Sequence, residues 1–120
     1  MSRFTEDIAA HKAKQRYFSE TEQGIRVANQ EVIHGRIPLL DQERAFAFAV
    51  TVARLRAEYL EAALKICGEA EGPLPDAAAI EGLRLKRELF EEARAAYDAL
   101  SHAIDVGYID IGRIVTAADK

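Results

Sequence analysis

Apolar residues in the middle of the chain have the spacing of a helix that is buried on two sides. One series, which we call the first seam, alternates steps of four and three residues: Phe46, Val50, Ala53, Ala57, Leu60, Leu64 and Cys67. The second seam repeats this spacing two residues along: Phe48, Val52, Leu55, Tyr59, Ala62 and Ile66. Two residues correspond to about 200° of helical rotation, so the seams lie on nearly opposite faces. The pattern predicts a central helix that packs on both faces.

Residues 45–52, with the sequence AFAFAVTV, also alternate strictly, which is the pattern of a strand. The residues between the large apolar ones are mostly Ala, a poor strand former. No turn residue separates this stretch from the helical pattern that continues to Lys65. We therefore favour a helix here, with a strand as the alternative.

Proline and glycine divide the chain into long segments that are rich in helix-forming residues. They cluster in residues 35–41 and 68–76, and a weaker break covers residues 107–112. The segments predict helices over about 5–34, 41–68 and 76–106, with Thr5 and Asp76 as N-caps. Gly107 suits a left-handed C-cap, and Asp110 suits the start of a short helix that ends at Ala118.

Short connections between helices favour antiparallel neighbours. The length of 120 residues fits one domain that spans residues 1–120. The predicted fold class is all-α, an antiparallel helical bundle of three long helices plus a short C-terminal helix.

The two outer segments differ in how apolar they are. The third has a continuous seam formed by Leu83, Phe90, Ala93, Tyr97, Leu100 and Ile104. The first has a single apolar heptad line, formed by Phe4, Phe18, Ile25 and Val32. Polar residues occupy its other seam positions. Because only the third segment is strongly amphipathic, we assign it to the first seam, where it would bury Cys67 as an inert thiol.

This assignment leaves the second seam exposed and predicts a coiled-coil-like homodimer or larger assembly. The predicted protein interface combines both helices and consists of Phe18, Ile25, Val32, Phe48, Val52, Leu55 and Tyr59.

The composition of the chain argues against several classes of function. The 16 basic and 20 acidic residues give a net charge of −4, which argues against a dedicated nucleic-acid binder. One cysteine excludes an intramolecular disulfide and a multi-cysteine metal site. The N-terminus is polar, and no stretch is apolar enough to span a membrane, so we expect a cytoplasmic protein.

The best metal-binding motif is Glu31-x-x-His34, which places a carboxylate and an imidazole on one helix face. A dimetal site needs two such motifs, and only a dimer would supply the second. We favour a helix-terminal His34 that interacts with the helix dipole. We assign no metal site, no cofactor and no catalytic residue.

The other two histidines are also interpreted as surface residues without a catalytic or metal-binding role. Asp98, His102 and Asp105 share one helix face and could form an acid–base pair, but the simpler interpretation is a solvated face. His11 lies among lysines and arginine in a basic cluster and is expected to be exposed.

The sequence thus favours a small non-enzymatic interaction or assembly protein whose partner is a second copy of itself, or another protein. The alternative is a nucleic-acid-associated regulator that uses basic clusters at residues 11–16 and 84–87. A metal-binding bundle formed across a dimer by Glu31 and His34 is the third hypothesis.

Overall fold

The computed structural model describes residues 2–112, which form three helices and one pair of very short strands. The helices are α1 (Arg3–Arg36), α2 (Gln42–Cys67) and α3 (Ala77–Asp105). Strand β1 (Leu40–Asp41) pairs in parallel with β2 (Ile111–Gly112). The prediction of three long helices is confirmed, and residues 45–52 are helical rather than extended.

Side chains that precede each helix explain where the helices begin. The hydroxyl of Ser2 accepts the backbone N–H of Thr5 at 3.2 Å, so Ser2 is the N-cap and the predicted cap Thr5 lies inside α1. The Asp41 carboxylate accepts the N–H of Arg44 at 2.7 Å. Asp76 accepts the N–H of Ala79 at 2.8 Å, which confirms the predicted cap of α3.

The end of α3 turns the chain back towards the start of α2. Gly107 has a φ of +85°, the left-handed conformation predicted for a glycine C-cap. Beyond it, the N–H of Leu40 donates to the carbonyl of Asp110 at 2.9 Å, next to the paired strands. Leu40 and Ile109 are both buried at this junction. Ile111 and Gly112, where a final helix was predicted, therefore form a strand, and residues 113–118 of that prediction lie outside the described residues.

Helices α2 and α3 pack against each other through the second seam. The ring centroids of Phe48 and Tyr97 are 5.6 Å apart, and those of Tyr59 and Phe90 are 6.3 Å apart. Val52, between the two aromatic residues of α2, is buried. The assignment of α3 to the first seam was wrong. The second seam carries Val52, Leu55 and Tyr59 at its middle, where the first carries only Ala53 and Ala57, so α3 buries more apolar area on the second seam.

Helix α1 contributes no buried residue to the fold. The chain measures 80 × 54 × 20 Å, and its radius of gyration is 24.3 Å. A compact domain of this length would have a radius of gyration of about 14 Å. Among residues 2–112, α2 and α3 form the only extensive helix–helix contact, so α1 does not join them in the predicted three-helix bundle.

Candidate functional site

The first seam is the face of α2 that points away from α3. Phe46 and Leu64, near its ends, are 70% and 72% exposed, and Val50 and Leu60 between them are also exposed. Ala53 and Ala57 lie exposed at the centre of this stripe. At 1.5 Å per residue, the stripe from Phe46 to Leu64 is about 27 Å long. A continuous apolar stripe of this kind is typical of a protein interaction surface.

Helix α1 carries the second exposed apolar line. Phe18, Ile25 and Val32 are all exposed and repeat every seven residues. These three residues remain predicted interface positions. The structure leaves them on the projecting helix, apart from the four predicted interface residues of α2.

Those four residues, Phe48, Val52, Leu55 and Tyr59, lie on the side of α2 that packs against α3 of the same chain. Their proposed role between chains rested on the premise that α3 covers the first seam. Since α3 covers the second seam instead, the free apolar face of α2 is the first seam. The pattern of the sequence shows both faces, but it does not show which one α3 occupies.

Cys67 is exposed at the C-terminal end of α2, so the expectation of a buried thiol was wrong. The residue belongs to the first seam, which α3 does not cover, and it is the last residue of the helix. The side chain therefore ends the apolar stripe in contact with solvent.

At protein concentrations low enough to keep the chain monomeric, we expect Cys67 in the folded chain to react with a maleimide at nearly the rate measured in denaturant, within about tenfold, because exposure removes the protection that burial gives a thiol. Mass spectrometry of samples quenched at successive times would measure both rates. A folded-state rate thousands of times slower would mean that another part of the protein covers the end of the first seam.

The C-terminal end of α1 meets the turn after α3. The Nε2 atom of His34 lies 3.4 Å from Oδ2 of Asp110, and both side chains are largely exposed. Glu31 and Gly107 border the same open depression. Asp110 is far from His34 along the chain, and no sequence pattern indicated the contact. An ion pair in such an exposed position contributes little to stability.

Among residues 2–112, no three His, Cys, Asp or Glu side chains are arranged to hold a metal ion. Glu31 and His34 stay together at the end of α1, as their spacing implies. Asp98, His102 and Asp105 are exposed on α3, and His11 is exposed on α1. The described helices also contain no segment long and apolar enough to cross a membrane.

The two basic clusters differ in their surroundings. Arg84 forms ion pairs with Glu81 and Glu88, one turn away on either side, and its Nε atom donates to Glu81 at 3.0 Å. The hydrogen bond from Arg84 lowers the pKa of Glu81, and the same hydrogen bond raises the pKa of Arg84. These acidic partners offset part of the positive charge at 84–87, whereas the cluster at 11–16 is exposed on α1.

No family model matches the chain, and neither a curated protein nor a solved structure is detectably similar to it.

Proposed function

We propose that this chain is a small non-enzymatic assembly protein that acts through homo-oligomerisation and helix–helix contacts. The exposed first seam on α2 is the observation that carries the proposal. A helix whose two opposite faces are apolar is stable in water when both faces are covered. Helix α3 covers one face, and we propose that assembly covers the other.

The exposed area supports this proposal. The chain exposes 9834 Å². A compact monomer of 13.3 kDa would expose about 6,500 Å² on the scaling observed for folded proteins. The excess is several times the roughly 800 Å² that each partner buries in a protein–protein interface of standard size.

Within each chain, we propose that α2 and α3 run antiparallel. The order of the two aromatic contacts supports this direction. Moving along α2 from Phe48 to Tyr59, the contacts on α3 move backwards from Tyr97 to Phe90. The connection of residues 68–76 between the helices is short, as antiparallel neighbours require.

Light scattering coupled to size exclusion tests the proposal directly. At tens of micromolar, we expect a mass of twice the 13.3 kDa chain or more. Leu60→Lys places a charge in the first seam and should shift the population to monomer, because an unpaired charge in an apolar interface is costly.

Leu89→Lys is the matched control. Leu89 is exposed to a similar degree on α3, outside the first seam, and its replacement should leave the mass unchanged. A monomeric wild-type chain at this concentration would contradict the proposal.

A further inference from the structure

We infer that α1 of a second copy of this chain packs antiparallel along the first seam of α2. This inference rests on the proposed function and names the segment that covers the exposed face. In the resulting assembly, each chain donates its α1 and receives the α1 of its partner. The surface is therefore reciprocal, as a two-fold dimer requires.

The spacing of the two apolar lines matches. On α1, Phe18, Ile25 and Val32 are seven residues apart, and on the first seam Phe46, Ala53 and Leu60 have the same spacing. Each line is about 21 Å long at 1.5 Å per residue. In antiparallel alignment, Val32 faces Phe46, Ile25 faces Ala53 and Phe18 faces Leu60, so two of the large side chains of α1 meet large ones and Ile25 faces a small one.

The intermediate positions fix the direction. In the antiparallel alignment, small Ala28 and Thr21 of α1 face Val50 and Ala57, and the polar residues Lys14 and His11 face only the solvent-exposed end of the seam, at Leu64 and Cys67. A parallel alignment of the same lines would instead place Glu22 against Val50 and Asn29 against Ala57. Burying an unpaired carboxylate costs several kcal/mol, so the antiparallel alignment is favoured.

Charges beside the seam favour α1 over a second α2 as the occupant. The antiparallel alignment brings Glu22 of α1 beside Arg54 of α2, an attractive pair at the edge of the contact. Two α2 helices that pair along the whole first seam, with Phe46 facing Leu64, would place Arg54 beside the same residue of the partner. Like charges that face each other across a helix pair are destabilising, so this pairing is disfavoured.

Within one chain, α1 is held away from its own first seam. The last turn of α1 lies beside the turn that follows α3, where His34 contacts Asp110. Only residues 37–39 connect α1 to β1, and the N–H of Ile37 still bonds to the carbonyl of Ile33. Folding α1 back onto its own α2 would require this connection to reverse and the His34 contact to break.

Cross-linking between single cysteines tests the pairing. We would co-express two chains that carry different tags, both with Cys67→Ser, one with Ile25→Cys and the other with Ala53→Cys. Both sites are exposed in the single chain, so neither change should disturb the fold. A short bifunctional maleimide should link the two differently tagged chains at a yield on the order of tenfold above that of either chain alone, because pairing raises the local concentration of the thiols to millimolar.

Leu60→Cys in place of Ala53→Cys is the matched control. It lies on the same seam, one heptad or about 10.5 Å further along the helix, and should link poorly to Ile25→Cys. A third chain that carries both Ile25→Cys and Ala53→Cys distinguishes the two sources of α1. It should link between chains and form no internal cross-link.

Each other outcome overturns a defined part of the argument. Ala53→Cys chains that link to each other would show that α2 pairs with α2, and an internal cross-link would show that α1 folds back on its own chain. A dimeric mass without the expected cross-link would reject this inference and leave the proposed function standing. A monomeric mass would reject both.

Discussion

Replacing Val52 by Asp is expected to unfold the pair of helices α2 and α3. Val52 is 7% exposed between the two aromatic contacts with α3, and the nearest charged group of α2, Arg56, already lies over the Phe90 ring, 5.1 Å from its centroid. An ionised carboxylate without a partner at such a position costs about 3–5 kcal/mol, which is a large share of the stability of a small domain. Urea denaturation followed by far-ultraviolet circular dichroism should show the midpoint of unfolding lost or shifted to very low urea.

Val50→Asp is the matched control, because it changes the same residue type two positions away on the opposite seam. Val50 is 40% exposed in the single chain. The expected result is a chain that retains its helix content but loses the dependence of its unfolding midpoint on protein concentration, because the change acts on the dimer. If Val52→Asp unfolded at the wild-type midpoint, the second seam would not be the contact between α2 and α3.

Local features of the fold could be predicted from the sequence because short-range physics determines them. Asp76 caps α3 because its side chain reaches the N–H of Ala79 three residues on. Gly107 adopts a positive φ because a residue without a Cβ has no steric penalty there. The two seams of α2 follow from helical periodicity alone.

Long-range features were not predictable by the same reasoning. Both faces of α2 are apolar at the same spacing, so periodicity could not decide which one receives α3. The choice depends on how the side chains fit, such as Tyr59 against Phe90. Helix α1 projects from the pair of helices for two reasons. Polar Glu22 and Asn29 interrupt its apolar heptad line, and α3 already covers the bulkier seam of α2.

The candidate site likewise combines features that the sequence predicts with features that it does not. Phe18, Ile25 and Val32 were singled out from their heptad spacing, and the structure leaves them exposed. The first seam was identified as a pattern but assigned to the interior, because the third segment is the only other strongly amphipathic helix and either seam of α2 could have received it. The contact between His34 and Asp110 joins two ends of the fold and has no local signature.

Replacing Ile109 by Ala is expected to destabilise the junction between the start of α2 and the end of α3. Ile109 is 4% exposed, and with Leu40 it forms the buried part of this junction. Removing the buried carbons of an isoleucine leaves a cavity and typically costs about 2–4 kcal/mol. The carbonyl of Asp110 accepts the N–H of Leu40, so the loss of packing should also loosen the parallel strands.

Ile111→Ala provides the control for this prediction, since Ile111 lies two residues along the same segment and is 46% exposed. Its replacement should change the free energy of unfolding by no more than about 0.5 kcal/mol. Urea denaturation gives both free energies, and hydrogen exchange of the Leu40 amide reports on the strands themselves. Protection of that amide should fall in Ile109→Ala and persist in Ile111→Ala, because a buried side chain at position 109 holds β2 against β1. Equal destabilisation by the two variants would show that the strand pairing, and not the buried contact of Ile109 and Leu40, closes the junction.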